Sequence, residues 1–179
     1  MSCVSTKPPA DAKSIKLVIL DIDGVLTDGQ IGYGLGSDDE VKFFDVHDGH
    51  GIKMLQRAGL RVGVLSGRES KANDRRAREL QLDFVLQGRK RKDESFLELV
   101  QQQRVSACQC LYMGDDLIDI PVMLRAGISV APANAAPEVA EIAHWVCAHT
   151  GGRGAVREMA VRLLQARGTW QETIAHYYE

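Results

Sequence analysis

Cysteine is scarce in this sequence, and the few present are badly placed for joint work. Cys3, Cys108, Cys110 and Cys147 form no C-x-x-C pair and have no histidine at zinc-finger spacing. That excludes a cysteine-built metal cluster or a disulfide framework and leaves reduced thiols. Cys108 and Cys110 stand two apart, on one face of a strand, and read as packing. Long apolar runs are also missing: nothing approaches the roughly 20 residues of a bilayer crossing. The opening "MSCVSTKPPADAKSIK" lacks the apolar centre of a secretory signal, so the cytoplasm is the expected location. There is no excess of either charge. With 22 Lys and Arg against 24 Asp and Glu, the chain lacks the basic surplus of a nucleic-acid binder. Repeats, low-complexity tracts and convincing linkers are absent too. The 179 residues, 45% of them hydrophobic, suit one domain over 1–179, with a polar leader over 1–13 and a tail over 168–179. Both ends are expected to fray.

What is present is an alternation. Short β-branched runs at Lys16–Leu20, Arg61–Leu65, Asp83–Leu86, Cys110–Met113, Ile128–Ala131 and Trp145–Cys147 read as strands. Between and after them, helical periodicity marks Gly51–Ala58, Ser70–Gln81, Lys92–Gln103, Leu117–Ala126, Ala136–Ala143 and Gly154–Ala166. This pattern predicts an α/β fold, a doubly wound parallel sheet covered on both faces. One piece interrupts it. "QIGYG" and "EVKFFDV" flank the turn-forming "LGSDDE" and predict an antiparallel hairpin.

The first strand runs straight into carboxylates, in "LVILDIDGVLTDG". A buried parallel strand has no room for charge along its length, so Asp21 belongs at its carboxyl end, with Asp23 just beyond. Carboxylates and a backbone carbonyl around one point suit Mg²⁺; read alone, the pair could equally be N-cap aspartates of a loop. Other strand ends are similar. Arg61–Leu65 exits into "SGRES", where Ser66, Gly67 and a helix start offer an anion site. Cys110–Met113 exits into "GDDLID", which supplies Asp115, Asp116 and Asp119. Ligands of open α/β sheets bind at such ends, so the loops can share one crevice.

Taken in order, "DIDGVLTDG", "SGR", Lys92 and "GDDLID" resemble the four motifs of the haloacid dehalogenase superfamily of phosphatases. Through "DVHDGHGI", "LQG", "GDDLIDIPVM" and "GGRGAVRE" the chain is similar, within that superfamily, to a capless branch acting on an eight-carbon 3-deoxy sugar acid 8-phosphate, on the route to lipopolysaccharide. The resemblance implies Asp21 as the nucleophile that forms an aspartyl phosphate and Asp23 as acid and base. It implies Mg²⁺ on the Asp21 side chain, the Asp23 backbone carbonyl and Asp115, with Ser66 and Lys92 stabilising the transferring group. Position relative to "LQG" selects Lys92 over Lys90. Asp116 and Asp119 are expected to support the metal shell or cap the following helix.

The same resemblance places Asp48, Gly49, Gly67, Arg68 and Arg76 against the substrate, arginine being suited to a sugar carboxylate. His47 departs from an arginine common at that position, and neither it nor His50 is assigned a metal. The segments between the motifs leave no room for a cap domain. The resemblance therefore implies a homotetramer in which hairpins pack together and the tail after "GGRGAVRE" reaches a neighbouring site, with Gly151, Gly152 and Gly154 lending pliancy. Two rivals remain: a phosphatase for the nine-carbon sugar acid 9-phosphate, and a noncatalytic oligomeric binding module.

Overall fold

The computed structural model describes residues 9–34 and 40–178. A sheet of six parallel strands forms its centre. In chain order the strands of the whole structure are β1 (Leu17–Leu20), β2 (Gly32–Tyr33), β3 (Glu40–Val41), β4 (Arg61–Leu65), β5 (Phe84–Leu86), β6 (Cys110–Met113), β7 (Ile128–Ala131) and β8 (Trp145–Val146). The helices are α1 (Val46–Arg57), α2 (Lys71–Leu80), α3 (Lys92–Gln102), α4 (Ile120–Met123), α5 (Pro137–Ile142), α6 (Ala155–Arg167) and α7 (Trp170–Ala175). The large sheet runs β5-β4-β1-β6-β7-β8, so the chain winds to one side of β1 and then to the other. Such a reversal opens a crevice at the carboxyl ends of the strands beside it.

β1, β6 and β7 are buried along their whole length, as expected of strands covered on both faces. Their period of two divides the core. Val18, Leu20, Leu111 and Met113 face the layer of α1 and α6, while Leu17, Ile19, Cys110 and Tyr112 face that of α3, α4 and α5. Cys110 and Cys147 are both buried, and Cys108 is exposed. Cys3 lies outside the described residues. Among those described, no helix is long and apolar enough to cross a membrane.

Several boundaries differ from the sequence reading. α1 starts at Val46, five positions early, because the Asp45 carboxylate accepts the N–H groups of His47 and Asp48 and caps the helix there. The single helix expected over Leu117–Ala126 is a 3₁₀ turn, Leu117–Asp119, followed by one turn of α4 with Pro121 at its start. The tail does not simply fray after Gly168: α7 forms, and Trp170 and Ile174 pack on the core. β2 and β3 pair antiparallel, Gly32 opposite Val41 and Tyr33 opposite Glu40. The turn expected between them, in "LGSDDE", falls outside the described residues apart from Glu40.

Candidate active site

The carboxyl ends of β1, β4 and β6 open into a crevice of about 300 Å³. Asp21, Asp23, Ser66, Gly67, Arg68, Asp115 and Asp116 all line it. Asp21 continues β1 by one residue, its N–H donating to the Met113 carbonyl at 2.9 Å, and is nearly closed off from solvent.

Lys92, the first residue of α3, holds this carboxylate from behind. Its Nζ lies 2.8 Å from Asp21 Oδ2 and 2.7 Å from Asp119 Oδ1. Lys90 is exposed, whereas Lys92 is buried. Burial opposes the charge, but Asp21 and Asp119 hold the Lys92 pKa above the ordinary lysine value. Asp119 is fully engaged. Tyr112 Oη donates to its Oδ1 at 2.6 Å, and its Oδ2 accepts the N–H groups of Asp115 and Asp116 at 3.0 and 3.2 Å. With every lone pair committed, Asp119 shapes the loop and anchors Lys92.

Asp21 and Asp115 are different. Asp21 Oδ1 and Asp115 Oδ1 are buried and accept no hydrogen bond. Oxygens of Asp21, Asp115 and Asp119 lie within 4.8 Å of one another. Burial pushes Asp21 up to about 7, against the pull of Lys92, and burial with the charges of Asp21 and Asp119 pushes Asp115 to about 7. Two hard, unpartnered oxygens beside a third, fully engaged carboxylate suit a hard divalent cation. Gly24 makes the approach possible. A Cβ on it would stand 1.9 Å from Asp115 Oδ2, and its φ of +85° is open to glycine.

Ser66 is buried at the end of β4, its Oγ accepting the Arg68 N–H at 3.2 Å. The helix expected from Ser70 starts there. α2 begins at Lys71, and Ser70 caps it by accepting the Asn73 N–H, so it is the turn 66–68, not the helix terminus, that lines the crevice. Arg68 hydrogen-bonds Glu40 and approaches Asp23 Oδ2 at 3.9 Å.

Three predicted substrate residues are not brought to this crevice. The Asp48 carboxylate accepts the N–H groups of Gly154 at 3.2 Å and Arg157 at 2.8 Å, pinning the start of α6. Gly49 sits in α1, where a Cβ would meet the Arg76 guanidinium. Arg76 itself donates to the Asp45 carbonyl at 3.1 Å and lies over the Phe44 ring. Nor is the glycine segment pliable: a Cβ on Gly151 would stand 1.8 Å from the Gly24 carbonyl oxygen, and Gly152 N–H donates to the Val25 carbonyl.

Sequence reasoning passed over Lys42 and Asn134. Lys42 Nζ stands 2.5 Å from Asp23 Oδ1; the period of two in "EVKFF" that aligns it with Glu40 was the available signal. Asn134 ties Gly24 to Gly151, donating to the carbonyl of the first and accepting the N–H of the second.

This acidic crevice lies at the switch point of a doubly wound sheet, and residues 82–159 match the haloacid dehalogenase-like hydrolase family. Over 169 residues the chain is 40% identical to the 3-deoxy-D-manno-octulosonate 8-phosphate phosphatase KdsC of Escherichia coli, covering 94% of this chain and 89% of that protein. The structure of the Moraxella catarrhalis enzyme of the same name, in complex with magnesium ion, phosphate ion and KDO molecule, superposes with a TM-score of 0.90 at 35% identity, covering 93% and 95% of the two chains. The cobalt-bound Haemophilus influenzae phosphatase gives 0.88 at 39% identity, covering 94% and 99%. The chain belongs to the 3-deoxy-D-manno-octulosonate 8-phosphate phosphatase family of the haloacid dehalogenase superfamily.

Proposed function

We propose that this protein hydrolyses 3-deoxy-D-manno-octulosonate 8-phosphate to the free sugar acid and phosphate, with Mg²⁺, in the cytoplasmic route to lipopolysaccharide. The observation that carries the chemistry is the pair of buried, unpartnered oxygens on Asp21 and Asp115, backed by Lys92. The choice of ester rests on the family.

Asp21, Asp115 and the backbone carbonyl of Asp23 would hold the cation, which when bound supplies positive charge that lets an anionic nucleophile approach an anionic ester. Asp21 attacks phosphorus; the bond from phosphorus to the sugar oxygen breaks, and Asp23 gives that oxygen its proton. Asp23 then takes a proton from the water that hydrolyses the aspartyl phosphate. Lys92 and Ser66 stabilise the phosphoryl oxygens, the electrostatic task on which such transfer mainly depends. Lys92 stays cationic throughout, being fixed between two carboxylates. Gly67 and Arg68 line the phosphate side.

We further read the protein as one domain that assembles as a tetramer. Exposed Tyr33, Val41 and Phe43 on and beside the hairpin support this, since an apolar face of that kind needs a cover. Asp48, with both oxygens taken within the chain, and Gly49 and Arg76, which do not line the crevice, are given no substrate role. Purified protein with Mg²⁺ should release phosphate from the eight-carbon ester with a higher kcat/KM than from the nine-carbon 9-phosphate. The reverse order would give the substrate to the longer sugar, and no release from either by folded protein would leave a binding module.

A further inference from the structure

Lys42 follows β3 directly, and its side chain is shut off from solvent. The ammonium stands 2.5 Å from Asp23 Oδ1 and 3.6 Å from Glu40 Oε2. Arg68 closes the ring, bonded to Glu40 Oε1 and 3.9 Å from Asp23 Oδ2. Two cations and two carboxylates therefore link three separate segments at the crevice mouth: the loop after β1, the hairpin, and the turn after β4. Their charges cancel, so the cluster adds no net field to draw in an anionic ester. What it supplies is orientation. Asp23 stands on a loop with two side-chain torsions free to turn, and Lys42 takes one of its oxygens. The other, with Arg68 Nε 3.9 Å away, faces the crevice that Asp23 lines.

We infer that Lys42 is a positioning residue for Asp23: by holding Oδ1 it presents Oδ2 to the oxygen that leaves phosphorus. This rests on the phosphatase reading above. In the step concerned, Asp21 forms a bond to phosphorus, the phosphorus–alkoxy bond breaks with its electron pair going to the oxygen, and that oxygen takes the proton from Asp23. Glu40 Oε2, buried and without a hydrogen bond, gives the ammonium a second carboxylate to lean on while Asp23 carries the proton. The hairpin thereby has a part in catalysis that does not depend on its apolar face. Where its second strand sits determines where Asp23 points.

The test uses leaving groups that differ in their need for a proton. kcat/KM reports events up to the first irreversible step, here loss of the leaving group, and is blind to later hydrolysis of the aspartyl phosphate. With Mg²⁺, it is measured for 3-deoxy-D-manno-octulosonate 8-phosphate, for ribose 5-phosphate, an alkyl ester without a carboxylate, and for p-nitrophenyl phosphate, whose phenolate leaves unaided. Lys42→Met should cut kcat/KM for both alkyl esters by about 10- to 100-fold, and for the aryl ester by no more than about threefold. Lys42→Arg should recover most of the loss. Equal losses on all three esters, or none, would overturn the inference, as would a loss confined to the sugar acid, which would make Lys42 a ligand for its carboxylate. If Lys42→Met does not fold, Lys42→Gln carries the same comparison. A wild-type protein inert toward every ester would instead sink the phosphatase reading, while an active one indifferent to Lys42 would sink this inference alone.

Discussion

Two regions of this molecule bury aspartate, and they treat it in opposite ways. At the junction of α1 and α6, Asp48 is closed off from solvent and both its oxygens are taken, by Gly154 and Arg157. At the carboxyl ends of β1 and β6, Asp21 and Asp115 each keep a buried oxygen with no partner. A buried carboxylate without hydrogen bonds is expensive, so a fold that keeps two together has a use for them besides stability. Asp48 needs no such explanation. The family resemblance had placed it against the substrate, and the difference lies in what meets the oxygens.

The sharpest way to break this contrast is to remove each charge. Asp21→Asn should lower turnover by at least about 10⁴-fold, because an amide cannot form the aspartyl phosphate, with the fold intact by circular dichroism. Retained phosphate release would take the nucleophile's role from Asp21. Asp48→Ala should do the reverse. It leaves two N–H groups at the start of α6 unsatisfied, lowering stability by about 2 kcal/mol in denaturant titrations, while kcat/KM at a temperature where the variant is folded changes by less than about threefold. A large rise in KM with unchanged stability would return Asp48 to the substrate.

Chelation sharpens the comparison further. The pKa values of Asp21 and Asp115 stand at about 7 in the fold, against an ordinary value of 3.8, so between these limits the folded state binds more protons than the unfolded one. Stability from these groups is therefore fully present below about pH 4 and is lost as pH rises through about 7. With EDTA the protein should melt a few degrees lower at pH 8 than at pH 5, and Mg²⁺ should restore the difference, acting chiefly at pH 8, where the ligands are ionised. A double variant, Asp21→Asn with Asp115→Asn, should show neither effect. If it kept the full pH dependence, the open oxygens would not be its source.

Much of the site could be read from the chain because one local rule governs it: a charge at the end of a buried strand must face the crevice. Asp21 and Asp115 follow that rule, the Ser66 hydroxyl stands at the matching end of β4, and the alternation of short runs with helical segments foretold the six-stranded parallel sheet. What stayed hidden depends on partners distant in sequence. Asp48 looks like a loop residue until Gly154 and Arg157 are seen to donate to it, and Lys42 like a strand-face cation until the hairpin folds it onto Asp23. The start of α1 was obscured for a local reason. "EVKFFDV" alternates as a strand does, and its Asp45 could be read as the strand's last polar position instead of a cap.

Tyr112 supplies the finest test, because it joins the two kinds of aspartate in one network. It lies deep in β6, fully buried, and its hydroxyl donates to Asp119 Oδ1, the oxygen that also anchors Lys92. Burial and the neighbouring carboxylates hold its pKa well above that of ordinary tyrosine, so it remains a donor at any working pH. Tyr112→Phe keeps the ring and removes only the hydroxyl. Asp119 then loses one of its hydrogen bonds, for about 1 kcal/mol of stability, and Lys92 loses rigidity rather than charge. The expected signature is a kcat lower by about three- to tenfold with KM little changed, since the looser ammonium still meets the phosphate but is less well aimed as charge develops on its oxygens. A fall in stability without a fall in kcat would show that Asp119 holds Lys92 in place unaided, and that the hydroxyl satisfies a buried oxygen in the way Gly154 and Arg157 satisfy Asp48.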